Sequence, residues 1–203
     1  MKRRVILFLL CLIGFCLCGS PAAARSPWSF GVEWGYTATF FNHYRNNYFD
    51  SEGSRVNDEG WERRLLSNGT LLVGAGYYLS DCWSLSLLAG FEGIHEDRRV
   101  IPTTLRGTFL PEGRGRSGWL LFAEAGAGWS GELDFGPATL ARGGAGWRLP
   151  MDGGISLDLL VSLHGSFDHP PVHDLEHHEV SRLRVRSNTA DYYGINFSLS
   201  LNF

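Results

Sequence analysis

The stretch Tyr192-Tyr193-Gly194-Ile195-Asn196-Phe197-Ser198-Leu199-Ser200-Leu201-Asn202-Phe203 decides how the rest of the chain is read. In steps of two, Tyr193, Ile195, Phe197, Leu199, Leu201 and Phe203 form one face. Tyr192, Gly194, Asn196, Ser198, Ser200 and Asn202 form the other. Successive side chains of a strand point to opposite sides, so this strict alternation predicts a β-strand with one apolar and one polar face.

The other end of the chain bounds the compartment. Lys2, Arg3 and Arg4 precede an apolar run from Val5 to Cys18, and Ala22-Ala23-Ala24 follows. This is the pattern of a secretory signal peptide over residues 1–24, with cleavage after Ala24 and Arg25 as the mature start. The run is too short, and too close to the cleavage site, to favour a membrane-spanning helix. Neither Cys16 nor Cys18 follows a small-residue lipobox, so lipidation is not expected. With the signal go Cys11, Cys16 and Cys18, leaving Cys82 alone. No intramolecular disulfide is then possible in an oxidising compartment, and the fold must stand on backbone pairing. Removing three of the 18 cations leaves 15 Arg and no Lys against 21 acids, a mature net charge of −6. That balance excludes nucleic acid as an expected partner.

The mature chain, 25–203, carries no apolar segment of helical membrane length, but alternation recurs along it. In the first strand Trp28, Phe30, Val32, Trp34, Tyr36, Ala38 and Phe40 alternate with Ser29, Gly31, Glu33, Gly35, Thr37 and Thr39. Aromatic residues at the ends of an apolar face suit a lipid-facing strand, because Trp and Tyr settle at membrane interfaces. Further strands are predicted at Thr70–Leu79, Trp83–Phe91, Gly118–Trp129, Ala138–Leu149 and Ile155–Phe167, with the closing strand at Tyr192–Phe203. These are seven, whereas bacterial single-chain barrels have an even number, short periplasmic turns and longer outer loops. A strand at Val100–Leu110, the least obvious, restores parity. The turns at 80–82, 111–117 and 150–154 then share one side. The loops at 41–69, 95–99, 130–137 and 168–189 share the other. The predicted fold is all-β: an eight-stranded antiparallel up-and-down transmembrane β-barrel.

Signal, alternation, loop asymmetry and a final strand ending on Phe203 together resemble the small eight-stranded outer-membrane barrels, the OmpA-like transmembrane domain among them. The resemblance covers the whole mature chain and is one of pattern. It implies a barrel-closing C-terminal signature at Tyr193, Ile195, Phe197, Leu199, Leu201 and Phe203, read by the barrel assembly machinery. It also implies outer-membrane lipids as surroundings and a monomer, and it is almost silent on activity.

Eight strands leave an interior just wide enough for side chains. The inward positions include Glu33, Glu92, Glu124 and Asp158 with Arg106, Arg142 and Arg148. Buried charges are tolerable when paired, so these seven are read as a lumen charge network. Arg142 is expected diagonally from Glu124, and Arg148 from Asp158. A gated ion path or small-ligand site is the sharper alternative.

Two other constellations suggest chemistry. His164 and Ser166 lie on one side of a strand with Asp168 nearby, faintly similar to the His-x-Ser arrangement of outer-membrane lipid A deacylases. Those enzymes continue with Asn where Phe167 stands here, and alternation points both residues into the lumen. His169, His173, His177 and His178 lie among Asp174, Glu176 and Glu179, and His173 and His177 would sit at i, i+4 if 172–183 turned helical. A solvated polar loop after Pro170-Pro171 explains them equally. The expected function is therefore a non-enzymatic surface protein without cofactor or metal, whose barrel anchors and displays the loops at 41–69 and 168–189. A lipid-modifying enzyme using His164 and Ser166 is the alternative.

Overall fold

Alternation becomes strand pairing throughout the computed structural model, which describes residues 26–94, 99–130, 136–172 and 178–203. Among the described residues there are eight strands: β1 Trp28–Phe49, β2 Arg55–Tyr78, β3 Trp83–Gly93, β4 Arg99–Phe109, β5 Gly118–Trp129, β6 Ala138–Pro150, β7 Ser156–Asp168 and β8 Val185–Asn202. Each pairs antiparallel with the next, and β8 returns to β1, closing the barrel. The least obvious strand, at 100–110, is β4. At the seam Phe203 N–H donates to the Phe30 carbonyl at 2.8 Å, and Phe30 N–H donates to the Phe203 carbonyl at 3.1 Å. The signal segment 1–24 lies outside the described residues, as does most of the loops at 95–99 and 130–137.

The short turns at 79–82, 110–117 and 151–155 lie at one end, and the longer connections lie at the other. Outward positions carry exposed apolar side chains: Leu71 and Val73 on β2, Leu85 and Leu87 on β3, Leu105 on β4, Leu121 on β5, Val161 and Leu163 on β7. Aromatics crowd the two rims of this belt. At the short-turn rim Trp28 meets Tyr77 edge-on at 5.1 Å, and Trp83, Phe109 and Trp119 form a chain at 4.8 and 6.2 Å. At the long-loop rim stand Phe40, Phe41, Phe91, Trp129, and the edge-on pair Phe167 and Tyr193. Inward glycines let the strands coil tightly. A Cβ added at Gly144 would strike the Val161 carbonyl oxygen and come within 2.6 Å of Ser162 Cβ.

The expected long loop at 41–69 is instead a hairpin. β1 continues to Phe49 and β2 begins at Arg55, with Phe41 to Phe49 in register against Arg63 to Arg55. β8 begins at Val185, earlier than the loop expected over 168–189, and joins the other side of β1. Together they raise a three-stranded blade beyond the barrel. On its far sides β3 pairs with β2 only from Thr70, and β7 with β8 only up to Ala190. One blade face packs Tyr48 against Val172 and Val180, while most other blade positions are polar or charged, so the alternation that marks the other strands is lost. Its tip is an Asx turn: Asp50 Oδ1 accepts from Glu52 N–H at 2.9 Å and Ser54 N–H at 2.8 Å, and Gly53 takes φ +81°. Only a residue without a Cβ enters that region freely. At the blade's base, β1 bulges between Thr39 and Phe41 against both neighbours at once.

Candidate functional site

Inward-facing side chains fill the lumen in layers. Nearest the long loops is an apolar cluster of Ile94, Val100, Ala138, Leu140, Ala190 and Tyr192. Towards the short turns a second apolar cluster, Leu110, Leu120, Phe122 and Leu160, packs beside Tyr78. Between and beside these lie all seven charged residues singled out from the sequence, each buried.

The centre is Glu124. Arg106 lies directly across the β4–β5 ladder from it, and Arg142 directly across β5–β6. The expected diagonal placement is thus corrected to direct opposition, because the antiparallel register sets the two side chains on the same rung. Arg106 gives Glu124 Oε2 two hydrogen bonds, from Nε at 2.9 Å and Nη2 at 2.6 Å. Glu124 Oε1 accepts from Arg142 Nη2 at 2.7 Å and from Thr104 Oγ1 at 2.6 Å. The remaining nitrogens cross the lumen: Arg106 Nη1 donates to Glu33 Oε2 at 2.5 Å, and Arg142 Nη1 lies 3.6 Å from Glu33 Oε1. Phe122 lies beneath the Arg106 guanidinium at 4.8 Å. Such forked, charge-assisted bonding to carboxylates is what Arg does and Lys cannot.

Charge counting singles out Glu92. Glu33, Glu92 and Glu124 face only Arg106 and Arg142, so one carboxylate is in excess. Neither Glu92 oxygen accepts a hydrogen bond among the described residues, and its close neighbour is His164 Nδ1 at 3.5 Å from Oε1. His164 is therefore the side chain nearest to the carboxylate in excess. Ser166 is 0 % exposed, and its hydroxyl has no hydrogen-bond partner among the described residues. The structure thus puts His164 and Ser166 on one inward strand face without bonding them to each other, and it gives Ser166 no exposure on the barrel's outer face.

The second assembly sits lower. Arg148 lies directly opposite Asp158 and donates from Nε at 2.8 Å and Nη2 at 2.6 Å to its two oxygens. Its Nη1 reaches the Tyr78 hydroxyl at 3.1 Å, and Asn202 Nδ2 donates to Asp158 at 3.0 Å. Between Arg106 and Arg148 a cavity of about 40 Å³ remains, walled by Gly74, Gly76, Ser84 and Ser86. That is room for about three waters. Thr104, Tyr78 and Asn202 were not singled out from the sequence. All three sit at inward positions two steps or fewer from a strand end or a charged neighbour, which is the signal that alternation offers.

The loop histidines divide. His173 and His177 lie outside the described residues. His169 Nδ1 is 2.5 Å from the Asn188 carbonyl oxygen, which tethers the loop to the blade. Val172 and Val180 pair through a backbone bond and pack on Tyr48. Among the described residues no group of three or more His, Cys, Asp or Glu side chains could hold a metal ion.

No protein-family model matches the chain, and no curated protein matches it. Among solved structures it is similar to the outer membrane protein OprG from Pseudomonas aeruginosa, at 14 % identity and a TM-score of 0.46, over 86 % of this chain and 95 % of that one. It is also similar to the outer membrane protein AlkL in DMPC lipid bilayers, at 10 % identity and a TM-score of 0.45, over 91 % of this chain and 94 % of that one.

Proposed function

We propose that the chain is an integral outer-membrane β-barrel without enzymatic activity, which anchors the β8–β1–β2 blade at the cell surface and keeps its own lumen shut. The observation that carries this reading is the inversion of a water-soluble barrel. Apolar side chains cover the outside, while carboxylates and guanidinia fill the inside. A soluble barrel would bury the first set and expose the second.

The belt has membrane dimensions. Ten residues separate Trp119 from Trp129 on β5. At about 3.3 Å per residue and a tilt of about 40°, they span about 25 Å, the height of the apolar band of outer-membrane barrels. Closing the barrel satisfies every rung of the ladder internally, as hydrocarbon requires. The salt-bridged cluster, with an apolar layer to each side, blocks the lumen to ions. Outer-membrane lipids surround the belt, the assembly machinery inserts the chain, and it acts as a monomer.

The test is fractionation and gel mobility. The protein should remain with outer membranes through carbonate washing and should shift in mobility when heated. Recovery as a soluble periplasmic protein would overturn the reading. Planar-bilayer recording checks the lumen: a sustained large conductance from wild type would show that it is open.

A further inference from the structure

The outer face of the blade's base has a chemistry of its own. Down β2, Trp61 is 66 % exposed, Arg63 is exposed and Leu65 is 68 % exposed. An indole, a cation and an apolar side chain thus follow one another towards the belt. Across the ladder, Phe41 faces Arg63, whose guanidinium carbon lies 5.8 Å from the Phe41 ring centre. The bulge after Thr39 places Phe40 and Phe41 both on the exposed side. Phe41, Trp61 and Arg63 surround a shallow depression of about 550 Å³.

The cation there is available and the indole is held in place. No carboxylate among the described residues forms an ion pair with Arg63. Glu59, two residues beyond Trp61, is engaged by Arg45 at 3.0 Å and His43 at 3.3 Å. Asp58 and Glu62 belong to the opposite blade face. There Asp58 first, then burial, then Glu62, push the Tyr44 hydroxyl above its ordinary value. Trp61 stacks on His43 at 4.4 Å and 23°. His43 is itself buried between Glu59 and Asp191.

We propose that Phe41, Trp61 and Arg63 form a binding site for the phosphate of an anionic membrane lipid, whose acyl chain lies over Leu65 and the belt below. This rests on the membrane-barrel reading. Continuity with the belt argues for a lipid occupant: the depression opens at the rim where tails give way to headgroups. The charge complements a phosphate, and the aromatic walls offer apolar surface beside it. A guanidinium beside an aromatic ring also keeps its hydrogen-bond donors free at its edge.

Native mass spectrometry of the refolded barrel, released from micelles containing phosphatidic acid, tests this. Wild type should retain one phosphatidic acid and should not retain diacylglycerol, which lacks the phosphate. Arg63→Ala should weaken retention about tenfold or more, the loss of one charge-assisted contact. Arg55→Ala, at the blade tip, should retain the lipid as wild type does. Excess inorganic phosphate should leave the lipid bound. Equal retention by Arg63→Ala, retention of diacylglycerol, or full displacement by inorganic phosphate would overturn the site. Heat-modifiable mobility in phosphatidylcholine micelles is read in parallel. If wild type lacks it, the barrel reading fails, and the site with it. If it is present while retention is indifferent to Arg63, only the site fails.

Discussion

Of the antiparallel rungs that set Arg directly opposite Glu, one in the lumen and one on the blade differ in almost everything else. Arg106 and Glu124 meet inside the lumen with side chains 7 % and 1 % exposed. Arg45 and Glu59 meet on the blade with side chains 61 % and 54 % exposed. A histidine joins each: His164 near the lumen cluster at Glu92, His43 at Glu59. Register and residue type are the same, so the contrast isolates solvation. On the blade, water screens both charges before and after the pair forms, and the pair contributes little. In the lumen both side chains are almost wholly withdrawn from solvent, so each depends on the other.

The largest effect should come from breaking the inner pair. Glu124→Ala removes four hydrogen bonds, leaves Arg106 and Arg142 only Glu33 across the lumen, and should cost about 3–5 kcal/mol, read as a lower denaturant midpoint for the barrel refolded in vesicles. Next, Gly144→Val puts a side chain against the Val161 carbonyl, and overpacking of this kind should cost about 1–3 kcal/mol. Equal stability of wild type and Gly144→Val would show that β6 and β7 can separate there. Glu92→Gln sharpens the comparison within the lumen, because it removes the excess charge and leaves the Glu124 bonds untouched. Its midpoint should stay within about 1 kcal/mol of wild type, or rise. A loss as large as that of Glu124→Ala would mean that Glu92 is ionised and bound as tightly. The smallest effect belongs to the blade. Arg45→Ala should change stability by less than about 1 kcal/mol, and added salt should erase even that.

How much of this was legible in the sequence follows from where water is. Wherever one strand face is the barrel's apolar outside and the other lines the lumen, as in Trp28–Phe40 or Gly118–Trp129, period-two alternation marks the strand and its facing. β4 was harder because Thr103 blurs its apolar side and the buried Pro102 puts an apolar ring on its polar one, and loop parity supplied what the pattern did not. The blade was missed because Asn42 to Asn47 is polar on both faces. The ladder continues there without a hydrophobic signature, and only Asp50-Ser51-Glu52-Gly53 marked a turn at its midpoint. Inward charges were legible as a set. The hairpin pairs Arg142–Glu124 and Arg148–Asp158 were legible too, but the Glu33 contacts with Arg106 and Arg142 were not, because they cross the lumen between strands distant in sequence. The role of His164 depended on such a contact too: nothing local to β7 points to Glu92 on β3.

The seam between β1 and β8 has a consequence for the order in which the chain folds. It joins residues 31–48 to residues 185–202, whereas every other rung links strands adjacent in sequence. Chain entropy makes distant contacts slower to form, so the hairpins can zip up early while the seam waits. Until Phe30 and Phe203 exchange their two backbone bonds, β1 and β8 each present a row of unmet amides and carbonyls. In hydrocarbon every such group costs several kcal/mol. On the membrane reading proposed above, a half-built sheet has no resting place within a bilayer, and insertion and closure would be a single event.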